Sequence, residues 1–369
     1  MGLVNCIKRE YEAQKDYFIE EFAEKARSAK EIVVWGTGLA GKMINDAAVK
    51  MNIRIDFFAD NNRDRKDFCD KRVLGIEDID KDGLVIIAAN VKYGIHLQLE
   101  KSGIRNYVYL DPVWLYFYNP EKPEAVWEKI YANRNNIETV YELLEDEESR
   151  KVYHNVLLHR VIHDLKLVWD IYDEHQYFGN RIVKHIGGNI IDCGAFQGDT
   201  LEDFLKQIGE EAYNYYAFEA ETENYCVLKN LCIERKLTNV KPIHMGVWDK
   251  KDVLYFESNS TTGEVSGKIT DHQNSKEKVE VDSLDHVLSG EKIDFIKMDI
   301  EGAEIRALQG SQNIIQKYEP VLAISAYHEL DHLWRIPLKI KELNRNYRIY
   351  FGHHMWNMAD TVCYARIDK

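Results

Sequence analysis

Hydrophobic positions in the first third of the chain fall into short apolar runs that alternate with amphipathic segments of helical spacing. The runs EIVVW, IRIDFFAD, LVIIAA and YVYL lie between residues 31 and 110. Strands that alternate with helices are typical of a parallel sheet with helical crossovers. We therefore predict a small Rossmann-like α/β domain of about four strands over residues 31–112, preceded by a charged N-terminal helix within residues 1–30.

The pattern changes after this region. Between residues 113 and 186 apolar residues recur at helical spacing and strand signals disappear, which predicts a helical connector. From 187 to 369 the alternation returns, and it ends with the runs YRIYFGHH and TVCYARI. About seven residues join these two runs, too few for a parallel crossover, so the two strands should pair antiparallel. The predicted fold class is α/β, with a mostly parallel second sheet closed by an antiparallel terminal strand.

Composition excludes several classes of protein. A length of 369 residues favours two domains. The net charge of -14, without a basic stripe, argues against nucleic acid as a partner. The charged N-terminus indicates neither a signal peptide nor a membrane anchor, and the scattered cysteines fit reduced thiols. We expect a cytoplasmic protein without membrane insertion that acts on a small or neutral substrate; a homodimer stays open.

The first candidate cofactor site is the turn GTGLAG, residues 36–41, which follows a strand and opens a helix. Its glycines would let a pyrophosphate approach the helix N-terminus, and Asp60 would hold ribose hydroxyls. NAD is nevertheless disfavoured, because the Tyr-x-x-x-Lys pairs at 225–229 and 11–15 are poorly placed for hydride chemistry. An NAD-dependent oxidoreductase or epimerase and a non-catalytic cofactor-binding protein remain as alternatives.

The second candidate cofactor site is the turn in IIDCGAFQGDT, at the start of the second domain. Asp192 ends an apolar strand, and Gly194 and Gly198 permit close approach of a ligand. Thr200 can cap the helix that follows. Glu219 ends the next strand, where its two oxygens can accept bonds from both ribose hydroxyls. Acidic strand ends around a glycine turn fit a nucleoside without phosphate, and the cationic S-adenosylmethionine is such a ligand.

These motifs carry a resemblance to a known family. The segments IDCGAFQGDT, YAFEAETENYCVLKNL, VEVDSLDHVL, IDFIKMDIEGAEIRALQGS and PVLAISAYHE resemble, in order and spacing, the FkbM-type S-adenosylmethionine-dependent methyltransferases over about residues 176–369. The resemblance implies a class I (Rossmann-like) methyltransferase domain that methylates a hydroxyl of a sugar, glycan precursor or other secondary metabolite. The residues expected to bind S-adenosylmethionine are Asp192, Gly194, Ala195, Gly198, Thr200, Glu219 and Ala220. The first domain resembles, more weakly, the Rossmann-like N-terminal domains of bacterial sugar-modifying proteins.

The segment KMDIEGAE, residues 297–304, should lie at the edge where open α/β sheets bind ligands. Asp299 ends the strand there, and we predict that it contacts the acceptor or the cofactor. Lys297 lies on the same face of the strand and is expected to pair with a carboxylate. Glu301 and Glu304 are interpreted as acidic residues that stabilise a helix N-terminus.

The predicted catalytic residues are His328 and Asp299. His328 ends the strand after Asp299, and it is the predicted general base because methyl transfer to a hydroxyl releases a proton. No metal site is predicted; a divalent metal held by Asp299, His328 and either His353 or His354 is kept as an alternative, since the spacing is not diagnostic. The polar stretch 258–275 is a candidate lid over the acceptor.

Overall fold

The computed structural model describes residues 2–14, 24–88, 94–110, 123–183, 186–208, 213–258, 267–270 and 277–368. The contacts divide the chain into two compact units. Unit 1 comprises Met1–Arg134, His154–Tyr172 and Met355–Ala359. Unit 2 comprises Asn135–Tyr153, Asp173–His354 and Asp360–Lys369. The predicted connector, 113–186, is thus divided between the units, and the domain boundaries drawn from the sequence stay a prediction.

Unit 1 contains a six-stranded sheet. Its strands are β1 Ile32–Trp35, β2 Phe57–Ala59, β3 Asp67–Phe68, β4 Lys71–Leu74, β5 Leu84–Ile87 and β6 Tyr107–Tyr109. Its helices include α1 Leu3–Gln14, α2 Leu39–Lys50, α3 Ile95–Lys101 and α4 Pro123–Ala132, with a 3₁₀ turn at Ile76–Asp78. The order is β3-β4-β2-β1-β5-β6, and only the β3–β4 pair is antiparallel. The parallel sheet follows the prediction, whereas the β3–β4 hairpin was not expected, because its strands are too short and polar to show a period.

Three further helices follow α4 among the described residues of the stretch predicted as a connector. They are α5 Arg134–Leu143, α6 Glu147–Ile162 and α7 Lys166–Trp169. The buried residues of α5, Ile137 and Val140, are three positions apart and share one helix face, whereas α6 is buried on most sides from Val152 to Ile162. No helix among the described residues has both the length and the apolar character needed to cross a membrane.

Unit 2 is built on a seven-stranded sheet. Its strands are β7 Gly188–Cys193, β8 Tyr213–Glu219, β9 Val240–His244, β14 Phe295–Met298, β15 Val321–Ser325, β16 Arg348–His353 and β17 Thr361–Arg366. The order is β16-β17-β15-β14-β7-β8-β9. All pairs from β15 to β9 are parallel, whereas β17 runs antiparallel to both β15 and β16. The predicted antiparallel terminal pair is therefore confirmed.

Among the described residues after β7, the remaining elements are a small second sheet and six helices. The second sheet has the strands β10 Gly246–Val247, β11 Asp252–Ser258, β12 Gly267–Thr270 and β13 Glu277–Asp282. The helices are α8 Asp199–Ile208, α9 Thr222–Glu234, α10 Leu284–Val287, α11 Glu304–Gln309, α12 Gln312–Tyr318 and α13 His332–Leu343. The helices α11 and α12 are separated around Gly310, where a Cβ would collide with the Trp248 carbonyl oxygen.

The carboxyl ends of the central strands meet closely in unit 2. Ile190 and Phe295 belong to one buried core cluster, which holds β7 against β14. At the strand ends the Asp299 N–H donates to the Cys193 carbonyl oxygen at 3.0 Å. Gly194 has a φ of +79°, and a Cβ there would collide with the Asp299 carbonyl oxygen. The turn after β7 therefore needs glycine both for its backbone conformation and for the approach of the neighbouring loop.

We predict that Gly194→Ala destabilises unit 2 more than Gly290→Ala does. Gly290 also has a positive φ, +88°, but nothing lies within 4 Å of its Cβ position, so it isolates the cost of the conformation alone. That cost is about 1 kcal/mol, whereas the added collision at Gly194 should raise the loss to roughly 3 kcal/mol or more. Urea unfolding followed by circular dichroism measures both variants, and equal losses would contradict the close approach.

Candidate active site

A cavity of about 470 Å³ lies in unit 2 at the carboxyl edge of the central sheet. Gly194, Glu219 and Asp299 bring the ends of β7, β8 and β14 to its wall. The segment after β9 adds an apolar side through Met245 and Val247. This is the edge at which open α/β sheets bind ligands, and the volume is in the range of small-molecule pockets.

The cavity is strongly acidic. Eight of its lining residues carry a carboxyl group: Glu174, Asp199, Asp203, Glu219, Glu221, Asp299, Glu301 and Asp360. Lys297 is the one basic residue among the lining residues that the structure describes, and the buried Asp192 carboxylate balances its charge. The cavity therefore attracts cationic ligands and repels anionic ones.

Glu219 is held in place by the backbone around it. Its Oε2 accepts a hydrogen bond from the Phe196 N–H, and its Oε1 accepts one from the Glu221 N–H, both at 2.8 Å. Burial raises the pKa of the Glu219 carboxyl group, against the effect of these two hydrogen bonds. Each oxygen keeps a further lone pair, so the carboxylate can still accept bonds from two ligand hydroxyls.

Asp192 does not line the cavity. It is fully buried, its Oδ1 lies 2.9 Å from Lys297 Nζ, and its Oδ2 accepts a bond from the Tyr215 hydroxyl at 2.7 Å. Lys297 also donates to the Gly194 carbonyl oxygen at 2.7 Å. Burial opposes the charged form of Lys297, but Asp192 outweighs it and raises the pKa of the lysine. The predicted pairing of Lys297 is confirmed, and Asp192 serves that pair.

The seven predicted cofactor residues are thus split by the fold. Four line the cavity, namely Gly194, Thr200, Glu219 and Ala220. Three are buried and do not line it, namely Asp192, Ala195 and Gly198. Sequence alone could not separate the two groups, because neighbouring residues of one turn differ in depth only through the packing around them.

Asp299 lines the cavity and is oriented by two tyrosines. The Tyr177 hydroxyl donates to its Oδ2 at 3.1 Å, and the Tyr327 hydroxyl donates to its Oδ1 at 3.2 Å. The side chain of Asp299 is 23% exposed, so its oxygens still reach the cavity. The position predicted for Asp299 at a ligand-facing strand end is the position observed.

His328 lies among three carboxylates. Its Nδ1 is 2.9 Å from Glu304 Oε1, and its Nε2 is 3.4 Å from Asp299 Oδ1 and 3.6 Å from Glu301 Oε2. Burial disfavours the imidazolium, but Glu304 outweighs it, with help from Glu301 and Asp299, and raises the pKa of His328 well above its usual value. His328 does not line the cavity. Its role as the general base stays a prediction.

Glu304 proves to be more than a helix-start residue. It begins α11, but its side chain is fully buried and contacts His328 and, at 3.4 Å, His332 Nδ1. Burial opposes its ionised form, yet the neighbouring His328 lowers the pKa of the Glu304 carboxyl group. The pairing joins residues 24 positions apart, which no local pattern could reveal.

Asp360 is the lining carboxylate that sequence reasoning missed. It directly precedes β17 and is partly buried at the cavity wall. Burial raises the pKa of Asp360 to about 7, and the nearby Asp299 carboxylate acts in the same direction. A carboxylate that titrates near neutral pH suits proton transfer. The sequence signal was one Asp in a turn between two strands, which is common in turns of every kind.

Backbone strain concentrates around this cavity. Among the described residues, ten residues other than glycine have a positive φ. Four of these line the cavity, namely Tyr177, Phe196, Glu301 and Asp360. Such conformations cost of order 1 kcal/mol each or more and persist where surrounding structure imposes them, often at functional sites. The clustering supports this cavity as the active site.

The histidines of the alternative metal hypothesis lie elsewhere. His353 Nδ1 is 2.8 Å from Thr361 Oγ1, and His354 contacts the Asp173 carbonyl oxygen at 2.9 Å and the Tyr364 hydroxyl at 2.8 Å. Neither lines the cavity. The candidate lid, 258–275, lies outside the described residues except for 258 and 267–270.

The glycine turn of unit 1 stands between β1 and α2, as predicted. Asp60 Oδ2 accepts bonds from the Thr37 N–H at 2.8 Å and from the Thr37 hydroxyl at 2.6 Å. These hydrogen bonds to Asp60 stabilise the conformation of the glycine turn. Gly38 has nothing within 4 Å of its Cβ position.

Tyr225, from one of the Tyr-x-x-x-Lys pairs, lies in unit 2. Its ring stacks on the His244 ring with centroids 4.6 Å apart, and it does not line the cavity.

Comparisons with known proteins agree with this geometry. Residues 192–355 match the family profile described as methyltransferase FkbM domain. The crystal structure of methyltransferase FkbM from Methylobacillus flagellatus KT is similar with a TM-score of 0.70 and 19% identity, over 98% of this chain and 100% of that one. It shares the fold across both units.

Two further solved structures are similar over about half of this chain. A SAM dependent methyltransferase from Aquifex aeolicus has 16% identity and a TM-score of 0.30, over 49% of this chain and 82% of that one. Precorrin-6y C5,15-methyltransferase from Geobacter metallireducens GS-15 has 12% identity and a TM-score of 0.31, over 50% and 82%. No curated protein is similar enough in sequence to give a match.

The strand order of unit 2 is that of a class I methyltransferase, and the family match over residues 192–355 identifies an S-adenosylmethionine-dependent methyltransferase. Residues 192–355 are, within that class, a methyltransferase FkbM domain. The fold class and the family resemblance found in the sequence are confirmed.

We predict that Asp360→Asn makes the free energy of unfolding less dependent on pH. The pKa of Asp360 is about 7 in the folded chain against 3.8 for an ordinary aspartate, so between these values the native state binds more protons. Stability conferred by this group is therefore lost as pH rises through that window, and the neutral amide avoids the loss.

Urea unfolding should accordingly show Asp360→Asn more stable than wild type by roughly 1–3 kcal/mol at pH 8 and about equal to it at pH 4. Glu291→Gln, which alters an exposed carboxyl group, is the control and should show no such change. A gain that is the same at both pH values would contradict the raised pKa.

Proposed function

We propose that this methyltransferase methylates a hydroxyl oxygen of a small polar acceptor, a sugar or a glycan precursor. The observation that carries the proposal is the pair of carboxylates Asp299 and Asp360 on one wall of the cavity. Carboxylates bind hydroxyl groups strongly as charge-assisted acceptors, and one of them can receive the proton that O-methylation releases.

The part of the cavity formed by β8 and β9 suits the cofactor. Glu219 would accept hydrogen bonds from the ribose hydroxyls. The apolar side formed by Phe218, Met245 and Val247 would pack against the adenine ring. Asp199 and Thr200 begin the ten-residue helix α8, where backbone N–H groups favour a carboxylate and Asp199 favours an ammonium group. An amino acid tail carries both groups. The acidic cavity as a whole favours a cation.

The residues around Asp299 suit the acceptor and its proton. Tyr177 and Tyr327 hold Asp299 so that it can orient the acceptor hydroxyl, and Asp360 receives the proton. When bound, S-adenosylmethionine supplies a methyl group whose bond to sulfur breaks, with the electron pair passing to sulfur, as the acceptor oxygen bonds to carbon. The protein thus contributes alignment and a proton acceptor, which are the two requirements of this displacement.

The charge of the cavity limits the acceptor. Phosphorylated or nucleic acid acceptors would be repelled by the acidic lining, whereas Glu174, Gln176 and Tyr177 offer partners for several neutral hydroxyls. A cytoplasmic location belongs to the same proposal and is supported by the free cysteines. No observation in unit 1 favours a hydride transfer by NAD.

We predict that Glu219→Ala weakens the binding of S-adenosylhomocysteine by about 10- to 100-fold, because a charged acceptor of two hydroxyls is lost. Isothermal titration calorimetry measures the change. Glu223→Ala removes an exposed carboxylate four residues along the chain and should bind like wild type, as should Gly38→Asp in unit 1. Unchanged affinity of Glu219→Ala would place the cofactor elsewhere.

We also predict that Asp299→Asn lowers kcat for methyl transfer by roughly 10²-fold or more, with S-adenosylhomocysteine affinity nearly unchanged. Transfer of a labelled methyl group to a panel of neutral sugars and glycosides measures the rate. Glu342→Gln, on the exposed end of α13, is the control. Equal activity of Asp299→Asn and an active wild type would show that Asp299 takes no part in the mechanism. Methyl transfer to nitrogen acceptors only would refute O-methylation.

A further inference from the structure

A buried nitrogen of His328 faces an acidic cluster without a hydrogen bond. The side chain of His328 is 8% exposed, and its Nε2 makes no hydrogen bond within the described part of the chain. This atom lies 3.4 Å from Asp299 Oδ1 and 3.6 Å from Glu301 Oε2. A buried polar atom without a hydrogen bond is costly, so its retention here calls for a ligand.

Glu304 sets the direction in which this nitrogen points. Its Oε1 accepts from the Ile300 N–H at 3.1 Å and lies 2.9 Å from His328 Nδ1. In a neutral imidazole this contact places the proton on Nδ1 and leaves the lone pair on Nε2, aimed at Asp299 and Glu301. A buried carboxylate that orients a histidine in this way is the usual outer partner of a metal-binding imidazole.

The distances and charges suit one divalent cation. Ligand atoms of Asp299 and His328 lie within 4.8 Å of each other and of one in Glu304, and Glu301 Oε2 lies 3.6 Å from His328 Nε2. Metal to ligand bonds of about 2.0–2.2 Å put neighbouring ligands roughly 3 Å apart, so contacts of 3.4 and 3.6 Å need shifts of only a few tenths of an ångström. Three carboxylates surround the imidazole, and a divalent cation offsets their charge. Oxygen ligands with one imidazole favour ions such as Mn²⁺.

We propose that His328 Nε2, Asp299 and Glu301 bind a divalent cation at the wall of the cavity, with Glu304 as a positioning residue. The cluster uses neither His353 nor His354, which the sequence had offered as ligands. Asp299 and Glu301 line the cavity, so open coordination positions on the ion would face the bound acceptor.

The role of the ion rests on the proposed function. An acceptor hydroxyl that coordinates the ion loses its proton more readily, because the positive charge stabilises the oxygen anion. The proton passes to Asp360. Two adjacent open positions would also select acceptors with neighbouring hydroxyls, which deepens the assignment of a sugar to this site.

Binding can be tested without any acceptor. Full-length protein is treated with a chelator, dialysed and titrated with MnCl₂, and the free Mn²⁺ signal is followed by electron paramagnetic resonance. We expect one site in wild type, a loss of at least about 100-fold in affinity for His328→Ala, and a loss of 10- to 100-fold for Glu304→Gln. His244→Ala, an exposed histidine outside the cavity, should bind Mn²⁺ like wild type.

Two controls keep the outcomes distinct. Each variant is also titrated with S-adenosylhomocysteine, which reports whether unit 2 is folded, and Glu301→Gln provides a milder variant because its side chain is 40% exposed. Equal Mn²⁺ binding by wild type and His328→Ala, or no binding to folded wild type with Mn²⁺, Mg²⁺ or Zn²⁺, overturns the proposal and leaves His328 as an imidazolium only. Mn²⁺ binding at His328 without any O-methylation would refute the proposed function and leave the ion site standing.

Discussion

The buried ion pair between Lys297 and Asp192 is the interaction on which the active site depends. Lys297 Nζ bonds to Asp192 on β7 and to the Gly194 carbonyl oxygen beyond it, so the lysine of β14 holds the end of the neighbouring strand. Burying two charges costs several kcal/mol, which is offset only by good geometry and further hydrogen bonds, here from Tyr215. Because Asp299 follows β14 and Gly194 follows β7, this pair fixes two cavity-lining strand ends beside each other.

Several residues around the cavity adopt conformations or charge states that cost stability. Tyr177, Phe196, Glu301 and Asp360 adopt strained conformations, and Asp360 is a carboxylate whose burial disfavours its charge. None of these features stabilises the fold. They persist because a packed sheet with fully buried strands such as β14 and β15 supplies the stability that the loops lack. The strained residues therefore lie in the loops, whereas the stabilising burial lies in the strands.

Depth distinguishes the three carboxylates of KMDIEGAE. Asp299 is 23% exposed and faces the cavity, Glu301 is 40% exposed at its rim, and Glu304 is fully buried against His328. A single short segment thus supplies a carboxylate that lines the cavity, a second carboxylate beside His328 and a third that contacts that histidine from the interior. The glycine between them, Gly302, has a φ of +102° and permits the turn that spreads the side chains to these depths.

The sequence by itself determined the fold, the antiparallel closure of the second sheet, the family and the strand ends at which Glu219 and Asp299 lie. The fold and the strand ends follow from period, spacing and glycine turns, which are local properties that a single chain displays, and the family follows from the resemblance of its motifs. The tertiary structure decided which carboxylates face the cavity, which of them pair, and which can exchange a proton. Asp192 proved to be a buried partner of Lys297, His328 proved to contact the buried Glu304, and Asp360 proved to line the cavity. Exposure and pKa depend on neighbours brought together from distant parts of the chain, so no local pattern contains them.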